Sequence, residues 1–272
     1  MSNKKPWILD TADLYNMIGD KKLRIVDMTS KQEYDKSHIP NAAFLDYSEI
    51  VRHKPPVFGM LPTAADFSQT ISKLGITADT HVVAYDDEGG GKAARFLWTL
   101  EVAGHNKMSL LNGGIHAWRS ESLPEDTATP TFAPNLYTIS FDDQTAIADA
   151  EYILAHLKQS EFCILDTRSK NEFNGTDKRS SRAGHIPGAV NLDWLDLKNA
   201  ENAQKLKSPE ELENLLASVG LYPEQEVITH CHSHHRSALM YVTLKSLGYK
   251  NVKGYPASWS DWAEREDTPV EI

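Results

Sequence analysis

Arg24-Ile25-Val26-Asp27, Lys31-Gln32-Glu33-Tyr34 and His38-Ile39-Pro40-Asn41-Ala42 return later in the chain as Cys163-Ile164-Leu165-Asp166, Lys170-Asn171-Glu172-Phe173 and His185-Ile186-Pro187-Gly188-Ala189. The offset grows from 139 at Asp27/Asp166 to 147 at His38/His185, so the second copy carries eight extra residues, the polar and basic stretch from Gly175 to Arg182. That insertion reads as a surface loop. His81 to Asp86 pairs with Glu226 to Cys231 at an offset of 145, and Gly104 and Trp118 pair with Gly248 and Trp262 at 144. Two copies of about 130 residues are each large enough for a core of their own, which predicts duplicated domains rather than a solenoid.

Within a copy, apolar β-rich runs alternate with segments of helical period. Phe162 to Asp166, Ala189 to Leu192, Val227 to His230 and Asn251 to Gly254 read as strands, while Pro209 to Val219 and Ser237 to Leu247 read as helices. Ser208-Pro209-Glu210-Glu211 supplies an N-cap, a first-turn proline and acids suited to the helix dipole. Strands alternating with helices imply an α/β fold, here two α/β/α sandwiches, each with a central, mainly parallel sheet. The Pro-, Thr- and acid-rich stretch from Glu121 to Pro134 separates the copies, which sets expected domains at 1–122 and 137–272 around a linker at 123–136.

The chain has 28 Lys and Arg against 38 Asp and Glu, a net charge of -10, which disfavours nucleic acid and anionic membrane as partners. The N-terminus has no apolar stretch of a secretory signal and no run of 18 apolar residues occurs, so a cytoplasmic location is expected. Of the two cysteines, Cys163 lies in an apolar run and reads as a core residue. Two cysteines support neither a disulfide framework nor a structural zinc.

Cys231 stands instead at the carboxyl end of a strand, where open parallel sheets place their reactive crevices. The turn Cys231-His232-Ser233-His234-His235-Arg236 leads into a helix, so its N–H groups can form an anion nest backed by the helix N-terminus. Such surroundings, with Arg236 close by, lower a thiol's pKa and populate the thiolate.

This loop, with four residues between cysteine and arginine, resembles the active loop of the rhodanese sulfurtransferases. Asp166-Thr167-Arg168 with Gly184 to Ala189 resembles that family's opening signature, and Ser258-Trp259-Ser260-Asp261-Trp262 its closing segment. The resemblance, covering the whole chain as a tandem pair, implies a sulfurtransferase that moves sulfane sulfur from thiosulfate to cyanide or a thiol. Cys231 would be the nucleophile and persulfide carrier, Arg236 would neutralise the anionic donor, and the amides from His232 through Ser233, His234 and His235 to Arg236 would hold the persulfide charge. No metal and no organic cofactor are expected, and a protein persulfide is a further candidate partner. Asp86 replaces the cysteine in the first copy, which is therefore expected to be inactive.

Several residues carry a plainer alternative. His232, His234 and His235 tune loop charge rather than ligate metal, and Arg182 is either a donor-attracting cation or a solvated loop arginine. His38, His185, Asp27 and Asp166 persist in both copies and so read as structural. Trp259 belongs to the core or to the crevice. Three competing functions remain: 3-mercaptopyruvate sulfur transfer, disfavoured by the cationic loop; a cysteine-dependent phosphatase or arsenate reductase, whose loops have five intervening residues; and a non-catalytic sulfur-sensing module.

Overall fold

The computed structural model describes residues 6–133, 135, 137–141 and 144–272; positions 134 and 136 of the expected linker lie outside them. In the first copy the strands are β1 (Ile8–Leu9), β2 (Leu23–Asp27), β3 (Ala42–Phe44), β4 (Arg52–Lys54), β5 (Val57–Met60), β6 (His81–Tyr85) and β7 (Met108–Leu111). The α-helices there are α1 (Thr11–Met17), α2 (Lys31–Lys36), α3 (Ala64–Lys73), α4 (Gly91–Val102) and α5 (Gly114–Ser120). The second copy supplies β8 (Phe162–Asp166), β9 (Val190–Asn191), the two-residue β10 (Lys198–Asn199) and β11 (Lys205–Leu206), β12 (Glu226–His230) and β13 (Val252–Gly254). Its helices are α6 (Ala150–His156), α7 (Lys170–Phe173), α8 (Pro209–Ser218), α9 (Arg236–Ser246) and α10 (Ser258–Trp262).

Two compact units result. The first holds the described residues of 6–51, 62–141 and Asn199–Leu206, and its sheet runs β1-β7-β6-β2-β3. The second holds Arg52–Leu61, Gln144–Lys198 and Lys207–Ile272, with the sheet β13-β12-β8-β9. Neighbours are parallel throughout both sheets, as strands buried on both faces require. Units and sequence copies do not coincide. The antiparallel hairpin β4-β5 comes from the first copy but belongs to the second unit, and residues 199–206 make the converse assignment.

Local chemistry explains the elements that position the site. Cys163, Ile164 and Leu165 of β8 are buried, because β8 lies inside the sheet between β12 and β9. Ser208 caps α8 in a reciprocal capping box with Glu211, and Pro209 opens the helix. Repeated residues perform repeated tasks. Trp118 and Trp262 are fully buried and each donates its indole N–H to a proline carbonyl at 2.8 Å, Pro124 and Pro269 respectively. His38 stacks on Tyr34 and His185 on Phe173, with ring centroids 3.9 and 3.7 Å apart, in agreement with a structural role. Trp259 joins the core of the second unit, at 1% exposure, with the Arg168 guanidinium 4.4 Å from its ring centroid. No helix among the described residues is long and apolar enough to cross a membrane.

Candidate active site

β12 ends at His230, α9 begins at Arg236, and the five residues between them turn tightly, with His234 at φ +54. Cys231 heads this turn at 1% exposure. Burial alone would push its thiol up. The Arg236 guanidinium, the N–H and hydroxyl of Ser237 and the N–H of Ser233 outweigh that and bring it down to about 7. Cys163 is the internal contrast: desolvated with no compensating partner, it is pushed up to about 11.

The backbone of the turn is gripped from behind by the start of α10. The N–H groups of Trp259 and Ser260 donate to the carbonyls of Cys231 and His232, both at 3.0 Å. The hydroxyl of Ser258 accepts from the N–H groups of Cys231 at 3.3 Å and His234 at 3.1 Å, and donates to the carbonyl of Tyr255 at 2.6 Å. On another side lies β5, where a Cβ placed on Gly59 would stand 2.2 Å from the Ser233 carbonyl oxygen. Phe58 anchors that strand through its N–H to Ser260 Oγ at 2.9 Å, and its ring lies 6.2 Å from that of His232.

Arg236 is held by a residue the sequence reading assigned no role in the site. Glu172, 2% exposed in its side chain, takes both guanidinium edges, with Nη1–Oε2 at 2.6 Å and Nη2–Oε1 at 2.9 Å. Although desolvation raises a buried carboxyl, Arg236 and Arg179 hold Glu172 down at about 2. The available signal was Ser169-Lys170-Asn171-Glu172, a capping box that fixes Glu172 at the start of α7. Deeper still, buried Asp166 receives the guanidinium of Arg168, with Oδ2–Nη2 at 2.6 Å, and lies 3.6 Å from His230 Nε2.

The structure separates the other expected site residues. Ser233 turns its N–H to the Cys231 sulfur. His234, expected at the donor, is fully buried instead: its N–H goes to Ser258 and its Nδ1 lies 2.7 Å from Ser237 Oγ, contacts that brace the turn. His232 contributes less charge than expected, because burial, and then the positive Arg236, lower its pKa. The His235 ring lies 6.0 Å from Trp194. Arg182 corrects both readings offered for it. Its guanidinium donates to the carbonyls of Trp262, Ala263, Arg265 and Thr268 and to the Thr268 hydroxyl, tying the insertion to the C-terminal segment.

The first unit contains the same turn with a different occupant. Buried Asp86 folds its carboxylate back into its own loop, where Oδ1 accepts from Gly90 at 2.7 Å and Glu88 at 3.1 Å, and Oδ2 from Ala93 at 2.9 Å. Gly91 opens α4 where Arg236 opens α9.

A buried thiol at a parallel strand's end, cradled by N–H groups and backed by an arginine, defines a cysteine-dependent anion-handling site on a duplicated α/β scaffold. The chain belongs to the rhodanese family: residues 10–121 and 149–265 each match the rhodanese-like domain. It is 38% identical over 267 residues to a thiosulfate sulfurtransferase of Pseudomonas aeruginosa, covering 98% of this chain and 97% of that one. The 3-mercaptopyruvate sulfurtransferase of Escherichia coli K12 is 30% identical, with 97% and 98% covered. Among solved structures, the 3-mercaptopyruvate sulfotransferase SseA of Escherichia coli superposes with a TM-score of 0.82 at 28% identity, covering 94% of this chain and 99% of that one.

Proposed function

We propose that the protein is a thiosulfate sulfurtransferase that carries sulfane sulfur as a persulfide on Cys231. The observation that carries this reading is geometric: a buried thiol at the head of a turn on which the Arg236 guanidinium and the N–H groups of Ser233 and Ser237 converge. The Cys231 thiolate attacks the outer sulfur of thiosulfate, a sulfur–sulfur bond forms at Cys231, and the donor's own sulfur–sulfur bond breaks as sulfite leaves with the electron pair. The N–H groups of Ser233 and Ser237 then hold the charge on the terminal sulfur, with Arg236 offsetting it. Cyanide or a thiol attacks that sulfur and restores the thiolate, so the cycle needs no external oxidant. A protein persulfide is a second donor or acceptor class, which the 30% identity to a sulfur carrier protein of Thermus thermophilus supports. His232 and His235 shape access to the turn.

The first copy, residues 1–122, is proposed to be non-catalytic. Asp86 cannot form a persulfide, its carboxylate already fills the cradle, and no arginine stands in the place of Arg236.

The test is intact mass after incubation with thiosulfate, then after cyanide. A gain of one sulfur on the wild type, removed by cyanide and lacking in Cys231→Ser, is expected. An adduct that survives Cys231→Ser ends this reading, whereas an adduct from 3-mercaptopyruvate alone moves the donor assignment.

A further inference from the structure

We propose that Ser258 is a positioning residue for the reacting sulfur: its hydroxyl, shared between the N–H groups of Cys231 and His234, holds the turn in the shape that leaves the N–H groups of Ser233 and Ser237 at Cys231. The inference rests on Cys231 being the reactive group.

The two copies supply the argument. His234 and Ser258 both have left-handed backbones, φ +54 and +51, which side chains other than glycine adopt at a cost of roughly 1 kcal/mol or more each. Their counterparts in the first copy are Gly89, φ +86, and Gly114, φ +55, which adopt the same region cheaply. The second copy therefore accepts strain at two positions that the first leaves to glycine. The strained pair is joined by one hydrogen bond, from the His234 N–H to Ser258 Oγ at 3.1 Å. What the second copy gains at position 258 is a hydroxyl, fully buried, with Cys231, His234 and Tyr255 as its partners.

The division of labour in the turn follows. The carbonyls of Cys231 and His232 are engaged by the N–H groups of Trp259 and Ser260 in α10. The N–H groups of Cys231 and His234 go to Ser258, the first residue of the same helix. Those of Ser233 and Ser237 are left for the sulfur. Without the hydroxyl, two buried N–H groups lose their acceptor, and the turn regains them only by re-forming, at the expense of the sulfur's donors.

Ser258→Gly is the decisive variant, because it removes the hydroxyl while relieving the backbone. The readout is the pH midpoint of the Cys231 thiolate's ultraviolet absorbance, taken as the difference from the same titration in Cys231→Ser. The midpoint should rise by roughly half to one unit, with a loss of up to about fivefold in thiosulfate-driven persulfide formation at neutral pH, while the melting temperature stays within a few degrees. Ser258→Ala, which keeps the strain, should shift the midpoint the same way and also melt earlier. An unchanged midpoint in a folded Ser258→Gly protein overturns the proposal. The titration reads Cys231 whether or not sulfur is transferred, so failure of the sulfurtransferase reading registers separately, as an unmodified wild-type mass.

Discussion

Arg236 lowers the Cys231 thiol and is itself held by Glu172, so substituting the two should have separable effects. Persulfide formation should rise with pH and level off above about 7, because the reactive form is the deprotonated thiol. In Arg236→Gln the midpoint should move up by at least about one unit, since the cation is gone and buried Glu172 keeps its charge nearby. Single-turnover rates across pH test this; an unmoved midpoint would remove Arg236 from the site. Glu172→Gln should cost roughly 2 to 4 kcal/mol near neutral pH by stranding a mostly buried guanidinium. The folded carboxyl sits at about 2 against an ordinary 4.5, so its contribution is complete above 4.5 and disappears as pH falls toward 2. Urea midpoints for wild type and variant should therefore converge in acid, and a constant gap would contradict the assignment. Cys231 and Arg236 were legible because they are close in sequence and their spacing carries the chemistry. Glu172 was not, because a pair 64 residues apart leaves no spacing to read.

At the scale of elements, the turn is only as well placed as α10 and the β4-β5 hairpin that flank it. Gly59, at φ +75, brings β5 against Ser233 so closely that a methyl group there has no room. Gly59→Ala should destabilise the protein by roughly 3 kcal/mol and slow persulfide formation, combining backbone strain with displacement of Ser233. Gly188→Ala is the matched control: φ is +74, but nothing lies within 4 Å of the added carbon, so only about 1 kcal/mol of strain should appear. Comparable losses in the two variants, by melting and by single-turnover rate, would show that the contact with Ser233 has no effect of its own. The strands and helices around Cys231 were legible from apolar runs and from the cap at Ser208. The hairpin's membership of the second unit was not, because Arg52 to Met60 carries no signal of which core it joins. Ser258 was visible only as part of a family signature, its hydroxyl's partners being fixed by tertiary approach.

For the molecule as a whole, the repeat made the duplicated fold readable, since two copies of one pattern must build two versions of one sheet. It could not reveal that the compact units trade segments, 52–61 one way and 199–206 the other, because periodicity records ancestry of sequence and not the path of the folded chain. Consequently no single cut of the chain releases either unit intact. The turn in the first unit has a different consequence. With Asp86 seated in it, three backbone donors are satisfied by a carboxyl group grown from the chain itself. The protein thus contains one socket twice, plugged by its own chain in the first copy and headed by a thiol in the second. The copies differ at both ends of this turn, Asp86 and Gly91 in the first against Cys231 and Arg236 in the second, so an engineer seeking a different cargo could leave the scaffold alone and change those two positions.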